Sequence, residues 1–345
     1  MAFTLLDAAK NNPFKLKAGI LATVFDTSPQ VLGSIPIETD GTLFTKYIRE
    51  GDLPDSDFRA FNSPHASDQK GEFQTGDLTK KVLGSKIAFD DILADEPTHI
   101  GTSELVLQMR MHSRAIGMNL KKYLIDADSS ANAKQFDGLN AWIARHGGTS
   151  QSANNRIQEF AGSASGATIL TGSPASLEDI INSMNELVDK NLEFGIPDFL
   201  ICSREQLNAL HARATVDAAN NVLADMFTFK QEMVNTPIGT KKMRYGVWGN
   251  SGMDPIPMYP IDFDSQKNGI ITQTEGAKDG SGSTFSSMYA VSTGDGGVCF
   301  KQKYADSIRI REESTSIGTT YHMDWPLALL CEHPASISKM MGIGI

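Results

Sequence analysis

Residues 102–127 read TSELVLQMRMHSRAIGMNLKKYLIDA, and the fold turns on how this stretch is read. Apolar side chains recur at Leu105, Met109, Ile116, Leu120, Tyr123 and Leu124, the three-and-four spacing of one helix face. Thr102 and Ser103 suit the N-cap, Glu104 the positive end of the helix dipole, and Lys121 and Lys122 the negative end. At 1.5 Å per residue such a helix spans on the order of 40 Å, long for a globular domain. Arg110, Arg114 and Lys121 form a second stripe away from the apolar one. It reads either as a solvated face or as a face that meets something acidic. His112 falls on the apolar stripe and reads as a satisfied core histidine.

The rest of the chain must give this helix a body to lie on. Of 345 residues, 40% are hydrophobic and 21% charged, which is ordinary for a folded protein and enough for two cores or one elongated body. The formal net charge is −10. A protein that wraps nucleic acid tightly shows the opposite balance, so any contact with DNA or RNA is expected to be local and weak. Cys202, Cys299 and Cys331 lie far apart without ligand spacing, so neither a disulfide framework nor a zinc site is indicated. Asp7 and Lys10 stand where a signal peptide needs apolar residues, and the run Trp325–Cys331 is too short to cross a bilayer. Assembly in the cytoplasm, with no membrane partner, is the expectation.

Before the helix, residues 1–42 read as an arm. Asn11, Asn12, Pro13, Gly19, Pro29, Gly33 and Pro36 break regular structure, yet Ile20, Leu21, Val24, Phe25, Val31, Leu32, Ile35 and Ile37 are too apolar for a free tail. A neighbouring copy is expected to cover them. Residues 43–97 read as an extended hairpin in which LFTKYIRE (43–50) returns along KKVLGSKIAFDDI (80–92). The long polar connection carries Phe58, Phe61 and Phe73, which are expected to bury on another molecule. Residues 98–134 hold the helix.

After it, residues 135–295 alternate between helix and strand. QFDGLNAWIARHGG (135–148) gives a short apolar patch. SLEDIINSMNELVDKN (176–191) is amphipathic with Ser176 as N-cap, DFLICS (198–203) a buried strand, and 204–226 a helix broken near Thr215. The chain then turns β-rich through MRYGVWG, MDPIPMYPI, NGIITQ and MYAVSTGDGGVCF. Residues 296–345 carry two strands, KQKYADSIRIREEST and TTYHMDWPLALLCEHP, expected to form a closing sheet under the long helix. No HExxH, Walker A or GxSxG motif is present, and GDGG (294–297) reads as a tight turn rather than a phosphate loop. No catalytic residue, metal ligand or cofactor site is assigned.

The order of these elements resembles the major capsid proteins of tailed bacteriophages, the Hong Kong 97-type coat fold, an α+β class. The likeness is carried by DLTKKVLGSKIAFDDILADEP (77–97), TSELVLQMRMHSRAIGMNLKKYL, the following QFDGLNAW, TPIGTKKMRYGVWGNSGMDPIPMYP (236–260) and HPASISKMMGI (333–343), and covers essentially the whole chain. It implies a peripheral domain of spine helix and sheet, with 135–295 inserted as the axial domain and with 1–42 and 50–80 reaching over neighbours. It implies a coat protein, not an enzyme, that self-assembles into pentamers and hexamers around double-stranded DNA in a virion. Portal and scaffolding proteins, and a decoration protein, are the further partners it suggests. With about forty residues before the hairpin, a separate scaffolding protein or none is expected.

Phe25, Phe58, Phe61, Phe73, Lys70, Lys80 and Lys81 are then the candidate contacts between subunits, and Arg110, Arg114 and Lys121 the candidate contacts to interior DNA. No asparagine follows Asn268, which argues against a Lys–Asn crosslink. Two other classes stay open: an encapsulin-like shell enclosing cargo enzymes, and a soluble α/β enzyme with a site built from scattered residues.

Overall fold

The computed structural model describes residues 15–50, 58–63, 73–90, 104–148, 150–160, 168–170, 175–216, 222–236, 239–249, 254–280, 282, 284–305, 307–314 and 318–345. Helix α1 (Lys15–Asp26) and helix α2 (Pro29–Ser34) come first among the described residues, which corrects the expected irregular arm over that span. The two described prolines sit where helices tolerate them, while Asn11, Asn12 and Pro13 lie outside the described residues. Pro29 occupies the first position of α2, which needs no N–H, and Pro36 lies beyond its end. Ile20, Leu21, Val24, Phe25, Val31, Leu32, Ile35 and Ile37 are buried in the chain's own core, so these residues do not wait for a neighbouring copy.

Next come strands β1 (Ile37–Thr39), β2 (Phe44–Glu50), β3 (Phe73–Thr79) and β4 (Lys81–Asp90). The expected pairing of 43–50 with 80–92 is not formed. β2 pairs antiparallel with β3, from Phe44 opposite Thr79 to Glu50 opposite Phe73. The sequence of β3, FQTGDLT, hides its role because it lacks apolar alternation. Its Gly76 makes room for the Tyr47 ring: a Cβ there would stand 2.2 Å from Tyr47 Cζ.

The spine helix, α3, runs Glu104–Asp126, 23 residues or roughly 35 Å. The proposed caps Thr102 and Ser103 lie outside the described residues. Met109, Ile116, Leu120, Leu124 and Ile125 are buried along one side. Helix α1 packs on α3, and Gly117 permits the close approach, since a Cβ there would meet Val24 O at 2.7 Å. His112 is half-buried and bonded through Nδ1 to Ser85 Oγ of β4, a satisfied histidine as read. Helix α4 (Leu139–Gly147) follows, and its fully buried Trp142 donates Nε1–H to Leu329 O at 3.1 Å.

The inserted region holds β5 (Ile157–Glu159), α5 (Leu177–Asp189), β6 (Phe199–Cys202), α6 (Arg204–Val216), α7 (Val222–Met226), β7 (Phe227–Thr236), β8 (Gly239–Trp248), β9 (Ile256–Pro260) and β10 (Ser286–Val291). Ser176 caps α5 by accepting from Asp179 N at 3.0 Å. Ser203 and Gln206 cap α6 reciprocally: each side chain accepts from the other's backbone N–H. NGIITQ (268–273) forms no strand of its own, although Ile270 and Ile271 are buried.

The chain closes with β11 (Val298–Gln302), β12 (Arg309–Ser314), β13 (Gly318–Cys331), a 3-10 turn at Pro334–Ser336, and β14 (Ile337–Ile343). One sheet has the order β1-β11-β13-β12, with β4 also paired to β13. A seven-stranded sheet has the order β5-β14-β10-β6-β9-β8-β7. The last strand therefore leaves the closing sheet, which corrects the reading of 296–345 as one element of the peripheral body. Its ISKMMGI is buried on both faces, and such a strand must lie in the middle of a covered sheet.

Alternation in β6 shows how the sheet is shared. Leu200 and Cys202 pack with α5 and α6, while Phe199 and Ile201 join the core that holds α3 and Trp142. None of the described helices is long and apolar enough to cross a membrane. Leu124 is fully buried and Val106 is half exposed on the same helix. Leu124→Ala is expected to lower stability in a denaturant titration by about 2–5 kcal/mol. Val106→Ala should change it by less than about 0.5 kcal/mol.

Candidate functional site

The β2–β3 ribbon is a two-stranded sheet separate from the other two. Such a ribbon is only marginally stable without further support, and here anchors supply it. Its inward face carries Tyr47, Arg49 and Leu78. Tyr47 meets Trp142 edge-on at 5.8 Å. Arg49 bonds to Gln74 across the ribbon, and its Nη1 donates to His146 Nδ1 at 2.8 Å. At the base, Lys80 Nζ donates to Asp40 Oδ2 at 2.7 Å and to Thr45 Oγ1 at 2.6 Å. Burial would raise the Asp40 carboxyl, but its bonds from Lys80 and Thr45 outweigh that and hold it below the ordinary value.

The outward face carries uncovered apolar residues among polar ones such as Lys46, Thr75 and Asp77. Phe44, Ile48 and Phe73 are 71%, 63% and 74% exposed. Phe58 and Phe61, in the described part of the connection, are fully exposed. These three candidate contact phenylalanines, Phe58, Phe61 and Phe73, thus stand free of their own chain. Phe44 and Ile48 extend the patch and were legible in the alternation of LFTKYIRE.

Other candidates fall elsewhere. Phe25 is 2% exposed, packed beside Gly33 within the chain's core, so it is not a surface contact. Lys80 has a fully buried side chain tied to Asp40 and is likewise removed from the contact set. Removing one partner of this pair would leave the buried Lys80 ammonium without its carboxylate. Lys81 is half-buried in β4, and Lys70 lies outside the described residues.

The spine's basic stripe forms one wall of a cleft of about 230 Å³. Arg110, Arg114, Met118 and Lys121 come from α3, Thr23, Asp26 and Thr27 from α1 and the turn after it, and Lys241 from β8. The structure thus brings the three predicted cations together, but unequally. Arg110 and Arg114 are exposed, whereas Lys121 is only 5% exposed, which corrects its reading as a residue on an open face. It sits beside Leu120 and is enclosed by the packing of α1. Lys241 and Asp26 were not foreseen. Their pairing at 2.5 Å joins residues 215 positions apart, and no local pattern signals that.

A larger open cleft, about 910 Å³, lies between β1 and the turn at 293–297. Glu38, Asp295, Lys301 and Glu332 line it. Burial, with Glu38 and Asp295 nearby, raises the Glu332 carboxyl despite Lys301. Its thiol, Cys299, is pushed up to about 12 by burial and is protonated at neutral pH, so it is no nucleophile. Among the described residues no group of three or more His, Cys, Asp and Glu side chains could hold a metal ion.

No protein-family profile matches the chain, and no curated protein does. Solved structures do. A chain of the holo-SrpI encapsulin complex from Synechococcus elongatus PCC 7942 superposes with a TM-score of 0.57 at 10% identity, over 90% of this chain and 86% of that one. A chain from Mycobacterium phage Bobi gives 0.54 at 13% identity, over 92% and 89%. The capsid of a native GTA particle gives 0.53 at 7% identity, over 94% and 91%. The chain has the Hong Kong 97-type coat fold of phage capsid proteins.

The Arg49–His146 contact makes the ribbon's base sensitive to acid. Arginine only donates, so His146 Nδ1 must accept and Nε2 carries the proton to Cys331 O at 3.1 Å. Burial, reinforced by Arg49, Arg145 and Arg156, lowers the imidazole from its ordinary 6.5 to about 4, although the Cys331 bond opposes this. Between those values the unfolded chain holds the proton and the folded chain does not. Stability is therefore expected to fall as pH drops from 6.5 to about 4, by on the order of 3 kcal/mol. Denaturant titrations across that window check this, and His146→Gln should flatten the slope.

Proposed function

We propose that this chain is the repeating subunit of a closed protein shell, and specifically a major capsid protein that assembles as pentamers and hexamers around packaged double-stranded DNA. The observation that carries the reading is the set of uncovered apolar residues on the outward face of the ribbon, Phe44, Ile48 and Phe73, with Phe58 and Phe61 exposed in the connection. An apolar patch of this kind marks an interface. On a coat fold, repetition by symmetry would let one such patch be buried in every subunit. The ribbon and residues 50–80 would reach over a neighbour, residues 135–295 would point to the symmetry axis, and the virion would be its location. A portal protein, a scaffolding protein and a decoration protein are natural further partners of such a shell.

Arg110 and Arg114, exposed on the spine, would face the interior and touch the genome backbone weakly. With a net charge of −10, the chain as a whole repels DNA, so tight wrapping is not expected. The likeness to an encapsulin chain supports a second reading, a nanocompartment around cargo proteins. Nucleic acid inside purified particles supports the capsid; protein cargo without it supports the compartment.

Light scattering on the full chain is expected to show megadalton particles or discrete pentamers and hexamers. A monomer of 37.4 kDa that persists at high concentration would sink the proposal. Ile48→Asp, on the outward face, should abolish assembly while leaving the unfolding midpoint within about 0.5 kcal/mol of the parent. Assembly that survives this change, and the same change at Phe44 and Phe73, would remove the ribbon from the interface.

A further inference from the structure

The cleft between α3, α1 and β8 is better built than a surface patch requires. Four cations, Arg110, Arg114, Lys121 and Lys241, share it with one carboxylate, Asp26, so the lining carries a net positive charge on a chain whose total is −10. Lys241 is held in place: its Nζ donates to Asp26 Oδ2 at 2.5 Å and to Asp26 O at 3.1 Å. Lys121 is nine-tenths buried and lines the cleft, yet it forms no hydrogen bond or ion pair among the described residues. Its stem is packed away, while Nζ is not among the sealed unpartnered atoms and so opens on the cleft. Its pKa is lowered, first by burial and further by Arg114, with Asp262 opposing. An anion in the cleft would supply the missing partner.

Asp26 is already held by Lys241, so Arg110, Arg114 and Lys121 face the cleft without a carboxylate of their own. A carboxylate ligand brings two oxygens, whereas a phosphate brings enough for the three cations together. The size agrees. Pockets for drug-sized molecules begin at about 300 Å³, whereas this cleft of about 230 Å³ suits one compact oxyanion.

We infer that the cleft is a binding site for a phosphate group, inorganic phosphate or a phosphate monoester, held by Arg110, Arg114 and Lys121 and bounded by the Lys241–Asp26 pair. Lys121 is its buried anchor, and the two arginines supply planar donors suited to oxyanions. The site closes only when α1 and the β7–β8 hairpin are both seated on the spine, so occupancy would also tie those three elements together. The inference concerns the chain itself and does not depend on what a shell encloses.

The test is isothermal titration calorimetry of the full chain with inorganic phosphate, in chloride buffer at fixed ionic strength. Saturable binding is expected, weakened about tenfold to a hundredfold by Lys121→Met or Arg114→Gln. Lys46→Gln, on the ribbon, should leave it unchanged. Arg114 is exposed, so its variant keeps the test valid if Lys121→Met misfolds. Absence of saturable binding, or equal binding by the variants, would overturn the site. Displacement of phosphate by sodium glutamate at equal concentration would overturn it in favour of a carboxylate. The weak contact to DNA proposed above would leave phosphate bound; full displacement by a short DNA duplex at equal phosphate would overturn the monoester in favour of a backbone diester. Light scattering on the same samples reads assembly separately, so the loss of this site and the loss of the shell reading are distinguishable.

Discussion

Strand β13 is the constraint on which the rest depends. Its 14 residues pair with β4 from Gly318 to Leu327, with β12 from Thr319 to Asp324, and with β11 from Leu327 to Cys331. Through β11 it also holds β1, and through Leu329 O it holds Trp142 of α4. After Cys331 the chain makes one short turn and enters the middle of the other sheet as β14. Both sheets are thus fixed by one continuous run of the C-terminal chain. Apolar burial drives this arrangement, and the backbone pairing sets its register.

The ribbon shows a local compromise between folding and association. It is anchored at its base by Lys80–Asp40, Tyr47 and Arg49–His146, all on the inward side. The outward side has apolar residues that gain nothing from the isolated fold. Removing them would cost the monomer little, which is why they carry the proposal of an interface. The same logic separates Phe25, buried and structural, from the exposed Phe58 and Phe61.

The two clefts differ in what they could do. The larger one crowds carboxyl groups around a lysine and a protonated thiol. The smaller one gathers Arg110, Arg114 and Lys121 beside a single carboxylate, Asp26, that Lys241 already holds.

The sequence by itself determined the elements whose side chains repeat with a clear period. The spine helix, the amphipathic α5 with its Ser176 cap and the buried β6 were all legible, because burial on one face imprints periodicity on a single segment. So was the outward face of LFTKYIRE. Tertiary structure alone decided the partners. The pairing of β2 with β3 rests on Gly76 fitting under Tyr47, and FQTGDLT carries no period that announces it. The arm became helical because α1 could approach α3 at Gly117, a contact between distant segments. Phe25, Lys80 and Lys121 looked like surface residues in isolation; they are buried because elements far away in sequence close over them. Lys241 meets Asp26 for the same reason: pairing across 215 residues is set by how whole elements pack, and no local spacing encodes it.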